Sequence, residues 1–337
     1  MRLSTGKRSG LTALANDRGV IAALAIDQRS ALRKLFAKAS GQPAENVAAE
    51  LLVEFKEHVS RILTPHASAI LLDPEYGLPA AAQRDKHAGL LLAYEKTGYD
   101  KAVRGRLPSL LAGFSAERLK KEGANAIKVL LYYSPFSEAQ INARKYDWVE
   151  RVGAECAAED VPFFLELVSY HDDMDEKGAE FARIKPEVVT RSVEEFCEPR
   201  YAVDVLKVGV PVNMNFVEAA GRSASQMLYS RSEAQEHFRR ASQAATLPFI
   251  YLSEGVSNET FADALAIAAE AGSSFCGVLC GRAIWQDGVE VFVRNGEAGL
   301  QDWLREHGVR NIQNVNASLA AARPWSEKVS IQSLGKG

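Results

Sequence analysis

The sequence predicts an α/β fold, a single (β/α)8 TIM barrel, on three observations. Short continuous apolar runs recur eight times, the stretches between them carry helical periodicity, and no glycine-rich turn follows the first run. Continuous apolar runs suit strands buried on both faces of a parallel sheet, and parallel strands need long crossovers that helices supply. An open doubly wound sheet would announce itself with a GxGxxG turn after its first strand. Here the first run leads into Asp27-Gln28-Arg29 instead.

The first strand is expected in VIAALAID at 20–27 and the second in ASAILLD at 67–73. Between them, residues 46–63 place Val47, Leu51, Leu52, Phe55, Val59, Ile62 and Leu63 on one face at a period near 3.6, the mark of an amphipathic helix. The third strand is the weakest, RLPSLLAGF at 106–114, and Ser115 follows it as the N-cap of another helix. Strands four to six are AIKVLLYY (126–133), PFFLELVSY (162–170) and VDVLKVGVP (203–211). Strands seven and eight are PFIYLSEGV (248–256) and FCGVLCGR (275–282), with an alanine-rich helix from Asn258 to Ala271 that closes at Gly272. An eighth helix is expected near Val289–Glu306. A repeat of about 36 residues fills roughly 260 residues in eight units, the size of one barrel. One domain is therefore expected over 1–337, with its core at about 20–307 and a polar tail at about 317–337.

Forty basic residues against forty-three acidic leave a net charge of −3, without the basic excess of a nucleic-acid binder. A small anionic substrate remains open, because a phosphate pocket needs only one or two cations. No apolar run approaches the roughly 20 residues that cross a bilayer, and MRLSTGKRSG lacks the apolar segment of a signal peptide. The four cysteines form no CxxC pair, and Cys276 and Cys280 lie in an apolar run as core thiols. A cytoplasmic protein with neither membrane nor nucleic-acid partner is expected.

Three strands carry a charge where an apolar residue belongs: Lys128, Glu166 and Lys207, on strands four, five and six. A buried charge is costly unless paired or used, and adjacent strands place these three side by side. Lys207 shares a face with Val205 and Gly209 by alternation. A second lysine and an apolar wall lower an amine's pKa, and a neutral amine can attack a carbonyl to form a Schiff base. Glu166 suits a proton carrier if burial raises its pKa, and Asp27 at the end of the first strand suits hydroxyl binding or proton relay. Ser253 and Gly255 after strand seven, with Gly281 and Arg282 after strand eight, form a phosphate signal, because barrels use those loops for phosphate. The six histidines make no HxH, HxxH or HExxH spacing. A metal held by Asp27, Asp73 and Glu166 would be opposed by the two lysines, so neither metal nor organic cofactor is expected.

The blocks ALAIDQR (23–29), ILLDPEYGLPA (70–80), GLLLAYEKTGYD (89–100), GANAIKVLLYY (123–133), EDVPFFLEL (159–167), DVLKVGVPVN (204–213), IYLSEGVS (250–257) and GVLCGRAIW (277–285) resemble the tagatose 1,6-bisphosphate aldolase family, a class I Schiff-base group. The resemblance covers nearly the whole chain. It implies Lys207 as the Schiff-base lysine, Lys128 as the second active-site lysine and Glu166 as the acid/base. It also implies Asp27 in proton relay or hydroxyl binding, Gln28 and Arg29 in substrate contact, and Ser253, Gly281 and Arg282 on the phosphate of the ketone half. The implied substrate is a small phosphorylated sugar, cleaved by a lyase, and a homodimer is a base-rate expectation. Two departures bear on substrate choice. The family commonly has glutamate where this chain has Gly209, and a small residue where it has Glu254. A carboxylate beside a phosphate loop disfavours a dianion unless it points away. Fructose 1,6-bisphosphate or a sulfonated ketose phosphate are alternative substrates, and a sugar-phosphate isomerase, epimerase or sensor are alternative roles.

Overall fold

Period-two alternation sorts each apolar run into an inner and an outer face, and the computed structural model closes those runs into a barrel. It describes residues 3–97, 99, 103–218 and 227–329. The strands are β1 (Ile21–Ala25), β2 (Ala69–Leu72), β3 (Gly89–Ala93), β4 (Ala126–Tyr133), β5 (Phe163–Ser169), β6 (Val205–Val208), β7 (Phe249–Leu252) and β8 (Gly277–Cys280). All pair in parallel in chain order, and β8 returns to β1 from Ile21↔Gly277 to Leu24↔Cys280. Ile21, Ala23, Leu71, Leu91, Phe164, Val205, Ile250 and Leu279 meet in one buried interior cluster. Leu24, Ile70, Leu92, Ile127, Leu206 and Val278 join the larger core under the helices. Lys128, Glu166 and Lys207 share the parity of the interior set, which places them inside the barrel.

The third strand corrects the sequence expectation. It is Gly89–Ala93, not 106–114, and all five of its residues are buried. In the 106–114 segment Pro108 has no N–H to give a ladder and Gly113 turns at φ +81°. That segment instead folds back over the end of β3: Lys96 N–H donates to Ser109 O at 2.8 Å and Leu111 N–H to Tyr94 O at 2.9 Å. The difference matters because it carries Glu95 to the mouth.

Most of the expected helices form. Ala49–Leu63 falls within the amphipathic stretch, Ser115 Oγ accepts the Arg118 N–H at 3.1 Å, and Asn258–Glu270 ends just before Gly272 at φ +70°. The last expected helix runs Gly288–Trp303, breaks its dihedrals at Gly296, and passes through a π-helical turn at Leu304–Gly308 into Val309–Ala317. Two elements at the barrel floor were not foreseen. A helix at Thr5–Leu14 and a 3₁₀ turn at Trp325–Lys328 send Leu11, Leu14 and Trp325 into the interior cluster from the N-terminal ends of the strands. Ser68 Oγ, just ahead of β2, donates to Leu14 O at 2.7 Å, and Trp325 N–H donates to Gly19 O at 2.9 Å. The tail expected to be polar thus helps to plug the barrel floor; its residues 330–337 lie outside the described residues. No helix among the described residues is long and apolar enough to cross a membrane.

A further buried amine lies apart from the three interior charges. Lys145, on the helix Ala139–Ala158, is fully buried and donates to Tyr170 Oη at 2.9 Å. Burial pushes it down to about 7; Asp172 opposes the shift and Arg106, stacked on Tyr170 at 4.6 Å, adds to it. The unfolded chain holds this proton up to about pH 10.4, so between pH 7 and that value it binds more protons than the folded chain. Stability is therefore expected to rise with pH across that window, by at most about 5 kcal/mol. Denaturant melts at pH 7 and 9 check it: the wild-type gain should disappear in Lys145→Met, and an equal gain in both proteins would refute the assignment.

Candidate active site

Neighbouring strands bring the three interior charges into contact. Glu166 of β5 stands in register with Lys207 of β6, and Ala93 of β3 with Lys128 of β4. Glu166 Oε2 lies 3.0 Å from Lys207 Nζ and 2.7 Å from Lys128 Nζ, so one carboxylate oxygen bridges both lysines. Lys128 Nζ also donates to Asp27 Oδ2 and to Glu95 Oε1, each at 2.9 Å. Every member of this cluster is at least nine-tenths buried.

Glu95 is the functional candidate that the sequence reading missed. With the third strand misplaced, it fell outside every strand end; the available signal was a glutamate two residues past the run GLLLA. Arg29, expected on substrate, is instead buried as a brace: its guanidinium reaches Glu75 Oε2 at 2.7 Å and Glu95 O at 2.8 Å. Beneath Asp27, the buried Lys56 donates to Ile26 O at 2.8 Å and pairs with Asp73. Asp73 is thereby committed to Lys56 rather than available with Asp27 and Glu166 for a metal. Among the described residues, the one group of acidic and histidine side chains close enough to share an ion is Glu54, His58 and Glu297, on outer helices.

The electrostatics overturn one expectation. Burial raises Glu166, but Lys128 and then Lys207 outweigh it, so its pKa is lowered rather than raised. Asp27 behaves likewise: burial opposes ionisation, yet Lys128, Lys207 and Arg29 hold the carboxyl well below the usual range. The raised carboxyl is Glu95, pushed up by burial and by Asp27 against the pull of Lys128 and Arg29. Burial alone would lower Lys128; Asp27, Glu166 and Glu95 reverse this and hold it well above its ordinary value. Lys128 is thus a fixed cation whose charge is matched by carboxylates. Asp27 Oδ1, Gln28 Oε1 and Glu95 Oε2 are buried and receive no hydrogen bond from the described residues, three acceptors suited to hydroxyl groups.

At the ends of β7 and β8, Ser253 is buried and Gly255 turns at φ +77°. A Cβ on Gly255 would meet Arg282 Nη2 at 2.6 Å, so the guanidinium lies flush against that backbone. A Cβ on Gly281 would meet the Gln28 amide nitrogen at 3.3 Å, which puts Gln28 beside the β8 loop. Serine hydroxyl, backbone N–H and guanidinium are the donor types that hold an anion.

The chain matches the DeoC/LacD family aldolase description over residues 21–287. It is 52% identical over 333 residues to tagatose 1,6-diphosphate aldolase 2 of Enterococcus faecalis, covering 98% of this chain and 99% of that one. The chain belongs to the DeoC/LacD aldolase family. It is also 49% identical over 330 residues to the tagatose 1,6-diphosphate aldolase of Staphylococcus epidermidis, covering 97% of this chain and all of the relative. Among solved structures, fructose-bisphosphate aldolase from Plasmodium falciparum superposes with a TM-score of 0.68 over 96% of this chain and 97% of that one; at 14% identity it speaks for the barrel fold alone.

In this aldolase the two departures from the family pattern touch each other. A Cβ on Gly209 would lie 2.4 Å from Glu254 Oε1, while Glu254 Oε2 pairs with Lys185 at 2.6 Å. The added carboxylate therefore points toward β6 and its cation rather than sharing the side of Arg282. The electrostatic objection to a bound dianion is accordingly reduced.

Proposed function

We propose that this aldolase reversibly cleaves D-tagatose 1,6-bisphosphate to dihydroxyacetone phosphate and D-glyceraldehyde 3-phosphate through a Schiff base on Lys207. The observation that carries the reading is the single Glu166 oxygen bridging Lys207 and Lys128 inside the barrel. The full-length relatives named for tagatose 1,6-diphosphate support the substrate.

Lys207 Nζ adds to the C2 carbonyl. Glu166, held ionised, takes in turn the two protons that the Lys207 nitrogen gives up, one on addition and one before dehydration, and passes each to the C2 oxygen, which leaves as water. The resulting protonated imine draws in the electron pair of the C3–C4 bond as that bond breaks. The C4 hydroxyl loses its proton toward Asp27 Oδ1, and glyceraldehyde 3-phosphate departs, leaving an enamine on Lys207. Glu95, the carboxyl most ready to hold a proton, supports protonation at C3, and hydrolysis of the imine releases dihydroxyacetone phosphate. Lys128 keeps its charge throughout and stabilises the developing oxyanion. Gln28 receives a substrate hydroxyl, and Ser253, Gly255, Gly281 and Arg282 hold the phosphate of the ketone half. Cytoplasmic operation as a homodimer belongs to the same reading; the unpaired cysteines support that compartment.

Borohydride reduction with dihydroxyacetone phosphate, followed by peptide mapping, tests the chemistry. The expected adduct is on Lys207, and an adduct on another lysine with no labelling of Lys207 would refute the reading. A cleavage panel of tagatose, fructose and sulfonated ketose phosphates tests the substrate, with turnover of the tagatose compound expected.

A further inference from the structure

We propose that Glu254 is a positioning residue, a latch that ties the β7 loop to β6 and so aims the phosphate cradle. The inference rests on the aldolase reading above for the identity of the anion.

Glu254 takes a left-handed conformation, φ +51°, which a residue with a Cβ rarely adopts unless its surroundings hold it there. Two contacts can hold it. Its Oε2 pairs with Lys185 Nζ at 2.6 Å, and the lysine comes from the helix Ala179–Phe196 with its own side chain only 7% exposed. Its Oε1 occupies the space where a side chain on residue 209 would begin, 2.4 Å from a Cβ built there. Glycine at 209 is therefore the condition for the carboxylate to lie where it does. The next residue, Gly255, continues the left-handed turn at φ +77°, and its Cα packs flush under the Arg282 guanidinium, with room for no Cβ. Ser253 immediately precedes the pair, and Val256 N–H closes the turn on Ser253 O at 3.1 Å. The ion pair, the glycine at 209 and the left-handed turn thus form one chain of contacts from the helix of Lys185 to Arg282. A carboxylate near an anion site ordinarily weakens it; committed to Lys185, this one instead fixes the backbone on which Arg282 rests.

The latch acts on the phosphate and not on the nucleophile, so its effect should split between ligands with and without phosphate. The half-saturating concentration for borohydride trapping is measured with dihydroxyacetone phosphate and with dihydroxyacetone. Glu254→Gln and Lys185→Met are each expected to raise it at least tenfold for the phosphorylated ketone and leave it unchanged for dihydroxyacetone. Lys185→Arg should stay near wild type, and the double variant should be no worse than either single one. Gly209→Ala should weaken dihydroxyacetone phosphate to the same degree by displacing Glu254, but add nothing in a Glu254→Gly background. Unchanged trapping of dihydroxyacetone phosphate in Glu254→Gln, or equal weakening for both ketones, overturns the latch. Glu254→Gln keeps the shape of the side chain and decides the matter if Lys185→Met fails to fold. If wild-type protein traps nothing at Lys207, the Schiff-base reading fails separately. Calorimetric titration with inorganic phosphate then judges the latch: weaker binding in Glu254→Gln supports it, and equal binding overturns it.

Discussion

Replacing Lys207 with methionine is expected to reduce carbon–carbon cleavage by about 10⁴-fold or more, to abolish the reducible adduct, and to cost less stability than the loss of Lys128. The activity loss follows from the chemistry: no other described lysine in the cluster is free to add to a ketone, because Lys128 is held between three carboxylates. The stability outcome follows from the pairing. Among the described residues Lys207 has one ionic partner, Glu166 at 3.0 Å, and that oxygen keeps Lys128 at 2.7 Å when Lys207 is gone. No carboxylate is orphaned, and methionine refills most of the volume along an apolar strand. Breaking a buried ion pair by removing one partner costs about 3–5 kcal/mol when that partner is stranded, and since Glu166 keeps Lys128 the loss should fall below that range. A coupled cleavage assay and denaturant melts check both halves, and retained turnover would exclude Lys207 as the nucleophile.

How far the sequence alone reaches is clearest at particular residues. Lys128, Glu166 and Lys207 were legible because a charge inside a continuous apolar run breaks a strong pattern, and alternation then fixes the face it occupies. That Arg282 and Gly255 lie together was legible because both follow the last two strands of a barrel, whose ends are neighbours. Glu95 was not, because its placement depends on which weak apolar run forms the third strand; GLLLA is only five residues long, and its burial is decided by pairing with β2 and β4. The direction of the Glu166 shift was also beyond the sequence. Burial and lysine proximity push a carboxyl in opposite directions, and the winner depends on distances near 3 Å. Arg29 shows the same limit: the family resemblance implied substrate contact, whereas its fork is taken by Glu75 and Glu95. The contact between Gly209 and Glu254 joins residues that are remote in sequence on neighbouring strands, and read separately each seemed an unrelated departure.

Lys128→Met should cost more stability than Lys207→Met, because among the described residues it removes three ionic contacts where the other removes one. Lys128 Nζ is within 2.9 Å of Asp27, Glu95 and Glu166, and the side chain is fully buried. Removing it leaves three buried carboxylates with Lys207 beside Glu166 and Arg29 3.9 Å from Glu95 as their remaining cations. Two like charges about 4 Å apart repel by roughly 4 kcal/mol even at an effective dielectric of 20, so the carboxyls respond by binding protons. Glu95, already raised, is expected to protonate first. The net destabilisation at neutral pH should be about 3–5 kcal/mol. Its pH dependence carries a sign that a simple packing defect would not. In wild type the raised Lys128 contributes stability that is complete below its unfolded pKa near 10.4 and is lost only as pH rises through its still higher folded value. The lowered Asp27 and Glu166 contribute stability that is present above their unfolded values and lost as pH falls through their folded ones. In the variant the carboxyls sit above their unfolded values, so the folded chain binds more protons and the deficit should deepen from pH 5 to 8. Cleavage should fall by about 10²–10⁴-fold, since a fixed cation at the reacting oxygen and the proton poise of Glu166 go together. The Lys207 adduct should still form, because the nucleophile remains. Melts of both proteins at pH 5 and 8 decide the point: a deficit that is the same at both values would mean that Lys128 fills space and does not neutralise the cluster.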